Sequence, residues 1–303
     1  MFYRLRRDIS ARWFDFAVRA AERTPPVKLD PSSPVTLVTQ LWRKDLYMYV
    51  IAIKSFTRFL GANRICVVGD RLEPAHREFL QRHVEGIEIR GLEEIDTTGF
   101  PRGGTWERLL HIIDLSQQGY VIQLDADTIT LSPPDEVLEC VRGNRSFTLG
   151  TAMAKGTTIS LEEATRLVAE VARASKHVQV VSENAMARIP RPGLRYARGN
   201  SAFAGFGQGL HERGLLKYFS DQMVELIGAA KWNEWGSEQV TSSFAVANAP
   251  NPLVLPFPKY RYFQPGADLT GSAFMHFMGT YRFAGGTYRR MALEEIGRLR
   301  RTG

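Results

Sequence analysis

The chain has 303 residues, 44% hydrophobic and 23% charged, which suits one large α/β domain or two small ones with a sizeable core and excludes a disordered or fibrous chain. Its formal net charge is +7, with 31 arginines beside 8 lysines, a balance that favours phosphate-bearing or anionic partners. Zinc-finger spacing, RNP-like aromatic motifs and dense basic runs outside the termini are missing, which argues against a nucleic-acid reader, and no stretch reaches the roughly 18 uncharged apolar residues of a membrane span.

Residues 2–23 carry Leu5, Ile9, Trp13, Phe16 and Ala17 at helical spacing with six arginines among them, which predicts a basic amphipathic helix broken by Thr24-Pro25-Pro26. Such a helix either packs on the domain or lies on a membrane surface; its charges do not fit a signal peptide. From Val35 the chain alternates short apolar runs with helical segments, the signature of a mainly parallel sheet. Strands are expected over 35–40, 64–69, 87–90 and 120–124. Helices are expected over 44–60, 73–83 and 105–115, the last capped by Thr105. Cys66 and Cys140 form no metal-type pair; they read as two inert thiols, with a disulfide as the alternative, and a reducing cytoplasm is the default compartment. The second half predicts helices over 161–174 and 221–230, loops over 189–198 and 250–265, a Gly- and Phe-rich stretch over 200–209, a short strand over 273–278 and a closing basic helix over 291–301. The expected organisation is a helix and linker (1–34), one catalytic domain (35–290, its halves meeting near residue 150) and a basic C-terminal helix (291–303).

Chemistry concentrates in two places. Asp125-Ala126-Asp127 follows directly on the buried-strand pattern Tyr120–Leu124, where the strand ends of open α/β sheets form ligand crevices. Two carboxylates this close repel unless a cation lies between them, and oxygen ligands favour a hard ion such as Mg²⁺ or Mn²⁺. The second is His276-Phe277-Met278-Gly279-Thr280-Tyr281-Arg282: Gly279 allows close backbone approach, Arg282 supplies a phosphate-matching fork, and a His beside carboxylates tilts preference toward Mn²⁺.

An apolar strand ending in Asp-x-Asp, paired with a late His-Phe-x-Gly-x-x-basic motif, resembles the glycogenin-like, retaining GT-A glycosyltransferases. The resemblance runs in islands from about residue 35 to 283. It implies a Rossmann-like, mainly parallel sheet flanked by helices, with a more irregular acceptor half. It also implies transfer of a sugar from a UDP-sugar to a glycan, lipid-linked or protein acceptor. Asp125, Asp127 and His276 would hold Mn²⁺ (or Mg²⁺), and Gly279 and Arg282 would touch the donor diphosphate. Arg108 matches an arginine that contacts the donor, and Thr39 and Gln40, ending the first strand, fall where the family places the base. Asn200-Ser201-Ala202 resembles the segment beside the sugar, and Glu238-Gln239 the acidic-Gln pair near the reaction centre. Arg282 stands where a lysine is usual, and Phe283-Ala284 where Pro-Trp is usual. Trp232 and Trp235 are candidates for stacking on a sugar or for the core. The basic terminal helices suggest peripheral contact with the cytoplasmic membrane face.

Two rivals remain. A haloacid-dehalogenase-like phosphatase also uses Asp-x-Asp after an apolar strand, but early in its fold and with a later adjacent acid pair; no Asp-Asp occurs here. A degenerate sugar- or nucleotide-binding module would have lost turnover. No G-x-S-x-G elbow, Walker A loop or complete G-x-G-x-x-G fingerprint is present.

Overall fold

The computed structural model describes residues 2–153 and 156–302. Helix α1 (Phe2–Val18) opens the chain; the side chains of residues 2–8, among them Leu5, Arg4, Arg6 and Arg7, lie outside the described residues. One stripe of α1 is buried at Phe14 and Val18, while Ile9, Trp13 and Phe16 stay exposed. Strand β1 (Val35–Trp42) leads into α2 (Leu46–Thr57), which is buried all round from Met48 to Phe56, as a helix clad on every side must be. Lys54 in its midst sends its ammonium back to Thr24 O, Thr24 Oγ1 and Pro25 O at 2.6–3.1 Å, tying the segment after α1 to the domain.

Strand β2 (Arg64–Asp70), α3 (Pro74–His83), β3 (Glu88–Gly91), α4 (Trp106–Leu115) and β4 (Tyr120–Leu124) follow close to their expected bounds. Then come β5 (Thr128–Thr130), α5 (Asp135–Arg142) and β6 (Phe147–Gly150). The irregular half holds the small pair β7 (Ile159–Ser160) and β8 (Arg195–Tyr196), helices α6 (Leu161–Ala172) and α7 (Val178–Ala185), and β9 (Gly199–Phe206). Helices α8 (Arg213–Ile227), α9 (Ala229–Trp232) and α10 (Ser237–Ala247), strands β10 (Leu253–Val254), β11 (Tyr260–Tyr262) and β12 (Phe274–His276), and helix α11 (Thr287–Thr302) complete the chain.

Seven strands form one sheet in the order β10-β6-β9-β4-β1-β2-β3. All neighbours run parallel except β9, which is antiparallel to β4 and β6. Period-two alternation covers both faces: Leu37, Ile65, Val67 and Ile122 point into one apolar cluster shared with α1, α2 and α11, and Val38, Cys66, Val68 and Val121 into a second shared with α4, α8 and α10. Cys66 and Cys140 are buried and free. Among the described residues no helix is long and apolar enough to cross a membrane.

Strand β9 corrects the Gly- and Phe-rich stretch, which sits in the centre of the sheet. A Cβ at Gly205 would fall 2.2 Å from the Phe147 ring, and one at Gly199 2.3 Å from Thr148 Oγ1, so glycine is what lets large neighbours lie against this strand. The segment over 250–265 likewise contributes β10 and β11 rather than wandering free.

Candidate active site

A cavity of about 540 Å³ opens beyond the C-terminal ends of β1 and β4, the position where open α/β sheets bind ligands. A second, three-stranded sheet builds its metal-ligand wall. Strand β12 lies between β11 and β5, and its antiparallel register sets His276 opposite Thr128, with Phe277 N donating to Asp127 O at 2.8 Å. A histidine far along the chain is thereby pinned beside the early acidic pair. Asp125 and Asp127 lie past the end of β4, in the turn that joins it to β5. They converge: one ligand atom each from Asp125, Asp127 and His276 lies within 4.8 Å of the others.

Arginines balance these acids. Arg282 donates to Asp127 Oδ2 at 2.6 Å, and His276 Nε2 is 3.3 Å from Asp127 Oδ1. Burial pushes the Asp127 carboxyl up, but His276 and Arg282 outweigh it and hold it down at about 2. Arg108, buried on α4, donates to Asp125 and, at 3.4 Å, to Glu238. Burial raises the Glu238 carboxyl against the pull of Arg108, and Thr105 Oγ1 (2.8 Å) and Ser201 Oγ (3.2 Å) also donate to it. Glu238 opens α10 but is only 2% exposed, a buried carboxyl rather than a solvated one.

Of the residues singled out in the sequence, Gln40, Arg108, Asp125, Asp127, Asn200, Glu238, Gln239, His276, Gly279 and Arg282 all face this cavity. Thr39 does not. Its alternation on β1 turns it away from Gln40, and its hydroxyl donates to Leu124 O at 2.6 Å, making it a brace between two strands. Trp232 is a core residue, edge-on to Trp106 and Phe219, with its indole N–H on Ser220 Oγ at 2.8 Å. Trp235 lines the cavity mouth, 72% exposed.

Sequence reasoning missed Asp45, His177, Gln179 and Arg198. Asp45 had a signal: it closely follows the end of β1, where ligands gather. Arg198 has none, since it is aimed by Glu183, buried on α7, which takes its guanidinium at 3.0 Å. Asp45 and Thr105 occupy the N-cap positions of α2 and α4, yet neither side chain caps its helix. Thr105, at φ +77°, spends its hydroxyl on Glu238, and Asp45 faces Arg282 at 4.0 Å. Burial pushes the Asp45 carboxyl up to about 6 against Arg282. With His177 before α7 and Gly236 before α10, four helix N-termini converge here, an environment that favours an anion. Three buried polar atoms on the wall lack a protein partner among the described residues: Gln40 Oε1, Arg108 Nε and His276 Nδ1.

Galactosyltransferase LgtC, solved with donor and acceptor sugar analogs, matches 87% of this chain and 96% of its own, at 13% identity and a TM-score of 0.51. An active-site mutant of LgtC matches 87% and 95%, also at 13% identity, with a TM-score of 0.52. The chain has the GT-A glycosyltransferase fold. The glycosyltransferase GlyE of Streptococcus pneumoniae covers 88% of this chain and 62% of its own, at 13% identity and a TM-score of 0.49. No protein-family model matches the sequence, and no curated protein matches it. The GT-A fold accounts for the mainly parallel sheet with its one antiparallel strand and for a cavity at the sheet's carboxyl edge that contains the Asp-x-Asp pair.

Proposed function

We propose that this protein is a metal-dependent glycosyltransferase that moves a sugar, with retention, from a nucleotide diphosphate sugar, UDP in preference to GDP, to a glycan acceptor. The observation that carries the reading is the convergence of Asp125, Asp127 and His276 within 4.8 Å, walled by Arg108 and Arg282, at the carboxyl edge of a GT-A sheet. Two carboxylates and an imidazole suit Mn²⁺ better than Ca²⁺, and the orphaned His276 Nδ1 is the kind of buried atom a ligand would satisfy. Bound there, the ion would act as Lewis acid toward the donor diphosphate.

The chain's own groups supply the rest. Arg282 and the converging helix N-termini offer positive charge where the nucleoside diphosphate leaves, and Arg108 holds Asp125 in place beside it. Asn200, fixed by its own Oδ1 accepting Ala202 N at 2.9 Å, and Gln239, whose amide donates to Gln179 at 3.1 Å, present fixed polar groups to the sugar. Gln40 offers its unpartnered carbonyl to the base or ribose. The C1–O bond to the diphosphate breaks with its electron pair, the acceptor oxygen bonds C1, and the acceptor's proton passes to a departing phosphate oxygen. The phosphatase reading is disfavoured: the cavity's other carboxylates, Asp45 and Glu238, sit on separate elements and form no adjacent acid pair. The two buried free thiols suit a cytoplasmic setting, which belongs to this proposal.

Calorimetric titration with UDP and with GDP, each with and without Mn²⁺, tests the reading. Heat with UDP that disappears on chelation supports it; no heat from either nucleotide under any metal condition overturns it. Trp235, exposed at the rim, is the acceptor platform in this reading. Trp235→Ala is expected to raise KM for the acceptor about tenfold, ~1.4 kcal/mol of lost stacking, with UDP affinity unchanged. An unchanged acceptor KM would remove Trp235 from the site.

A further inference from the structure

Helix α1 has two apolar stripes on opposite faces. Phe14 and Val18 point inward, with Phe14 stacked on Tyr288 of α11 at 4.4 Å between ring centroids. Ile9, Trp13 and Phe16, spaced i, i+4 and i+7, point outward at 47%, 61% and 70% exposure. A core stripe explains the first set and leaves the second unexplained, because three large apolar side chains aligned on one solvent face form a patch rather than scattered exposure.

The patch adjoins a basic strip. Trp13 and Arg289 line one groove together with Phe283 and Gly286, and Gly286 and Arg289 continue into a second groove that runs along α11 past Arg290 and Arg298 to Arg301. Helix α11 carries Arg289, Arg290, Arg298, Arg300 and Arg301 against two acids, Glu294 and Glu295. Glu294 answers Arg290 at 2.9 Å, and Glu295 is buried between Arg58 and Arg298 at 3.2 and 3.4 Å. Arg300 donates to Ala20 O at 2.9 Å, tying α11 to the turn that follows α1, and with the Phe14–Tyr288 stack this holds the two helices together so that their outward faces form one unit.

We infer that this combined face of α1 and α11 docks on a bilayer surface carrying anionic phospholipids, with Trp13 and Phe16 seated at the headgroup level and the α11 arginines on lipid phosphates. The pairing is the one such surfaces select: an aromatic stripe for interfacial insertion beside excess positive charge for the anionic leaflet. A protein partner would have to match aromatic and arginine-rich strips together, and among the described residues the one half-exposed acid of α11, Glu294, is already taken by Arg290. The inference does not depend on the reaction the cavity catalyses. Docking would also hold the segment 279–286, which carries Gly279 and Arg282 into the cavity and Phe283 into the groove, close to the membrane.

Co-sedimentation of the full chain with vesicles of phosphatidylcholine alone, and of phosphatidylcholine mixed with phosphatidylglycerol, tests this. Binding is expected only to the mixed vesicles, falling with salt, and roughly tenfold weaker in Trp13→Ser/Phe16→Ser and in Arg289→Gln/Arg301→Gln. Both variants change exposed side chains, so an unaltered thermal melt would show the fold intact. Deleting residues 1–23 would be a poorer variant, since it removes Phe14 and Val18 from the core. Equal binding to both vesicle types, no binding, or binding untouched by both double variants would overturn the inference. So would a solution dimer without vesicle affinity that Trp13→Ser/Phe16→Ser turns into a monomer, because the patch would then be a protein interface.

Discussion

Asp127→Ala is expected to abolish Mn²⁺-dependent nucleotide binding and to lower turnover about 10³-fold, the equivalent of ~4 kcal/mol of transition-state stabilisation. Asp127 is the centre of the charge arrangement: Arg282 at 2.6 Å and His276 at 3.3 Å both rest against it, and it is 6% exposed. Removing it takes away one candidate metal ligand and the anchor that aims Arg282. What remains near Arg282 is Phe277 O, which takes its Nε–H at 3.0 Å, and Asp45 at 4.0 Å, so the free end of the guanidinium is expected to turn about that bond toward Asp45 and away from the donor side. Asp127→Asn keeps the shape and one acceptor oxygen but not the charge. It should fold as the wild type does and still lose metal-dependent binding, which separates electrostatics from packing. Calorimetry with UDP and Mn²⁺, steady-state rates and a thermal melt on both variants decide the matter. Retention of metal-dependent binding by Asp127→Ala would remove the carboxylate from the ligand set.

This centre was legible in the sequence because its two parts each carry a local signal. The apolar run Tyr120–Leu124 fixes a strand, and the acids that follow must fall at its carboxyl end. Gly279 and Arg282 flag the second part by residue type alone. Pairing of β12 with β5, which joins them, is a non-local event that no periodicity reports. Strand β9 was hidden for a related reason: the glycines that let it lie between Phe147 and Tyr120 give it the composition of a loop. Thr105 and Asp45 were misread or missed because a residue type that commonly caps a helix looks the same whether its side chain turns back to the helix or forward into a cavity. Arg198 depends on a buried carboxylate of α7, and only the packing of that helix shows where the guanidinium points.

Arg108→Met is expected to cost both stability and donor binding, and a second substitution can separate the two losses. Arg108 is 3% exposed and faces Asp125 and Glu238, and Glu238 is 2% exposed. Losing one partner of a buried pair leaves the other charge uncompensated, at about 3–5 kcal/mol for a carboxylate that stays ionised. Glu238 can reduce that cost by taking up a proton, since burial already raises its pKa and Arg108 is the main influence holding it down. The sign follows: a carboxyl whose folded pKa lies above its unfolded value destabilises the fold above that pKa and ceases to do so as pH falls. Arg108→Met should therefore lose stability relative to wild type at neutral pH and recover part of it in mild acid. Adding Glu238→Gln removes the buried charge while keeping acceptors for the Thr105 and Ser201 hydroxyls, so the double variant should regain most of the stability at neutral pH. It should not regain UDP affinity if Arg108 is needed to hold Asp125 against the metal and diphosphate. Urea denaturation of wild type and of the two variants at neutral and mildly acidic pH, alongside UDP calorimetry, reads both effects. Full recovery of nucleotide binding in Arg108→Met/Glu238→Gln would show that Arg108 serves the fold alone.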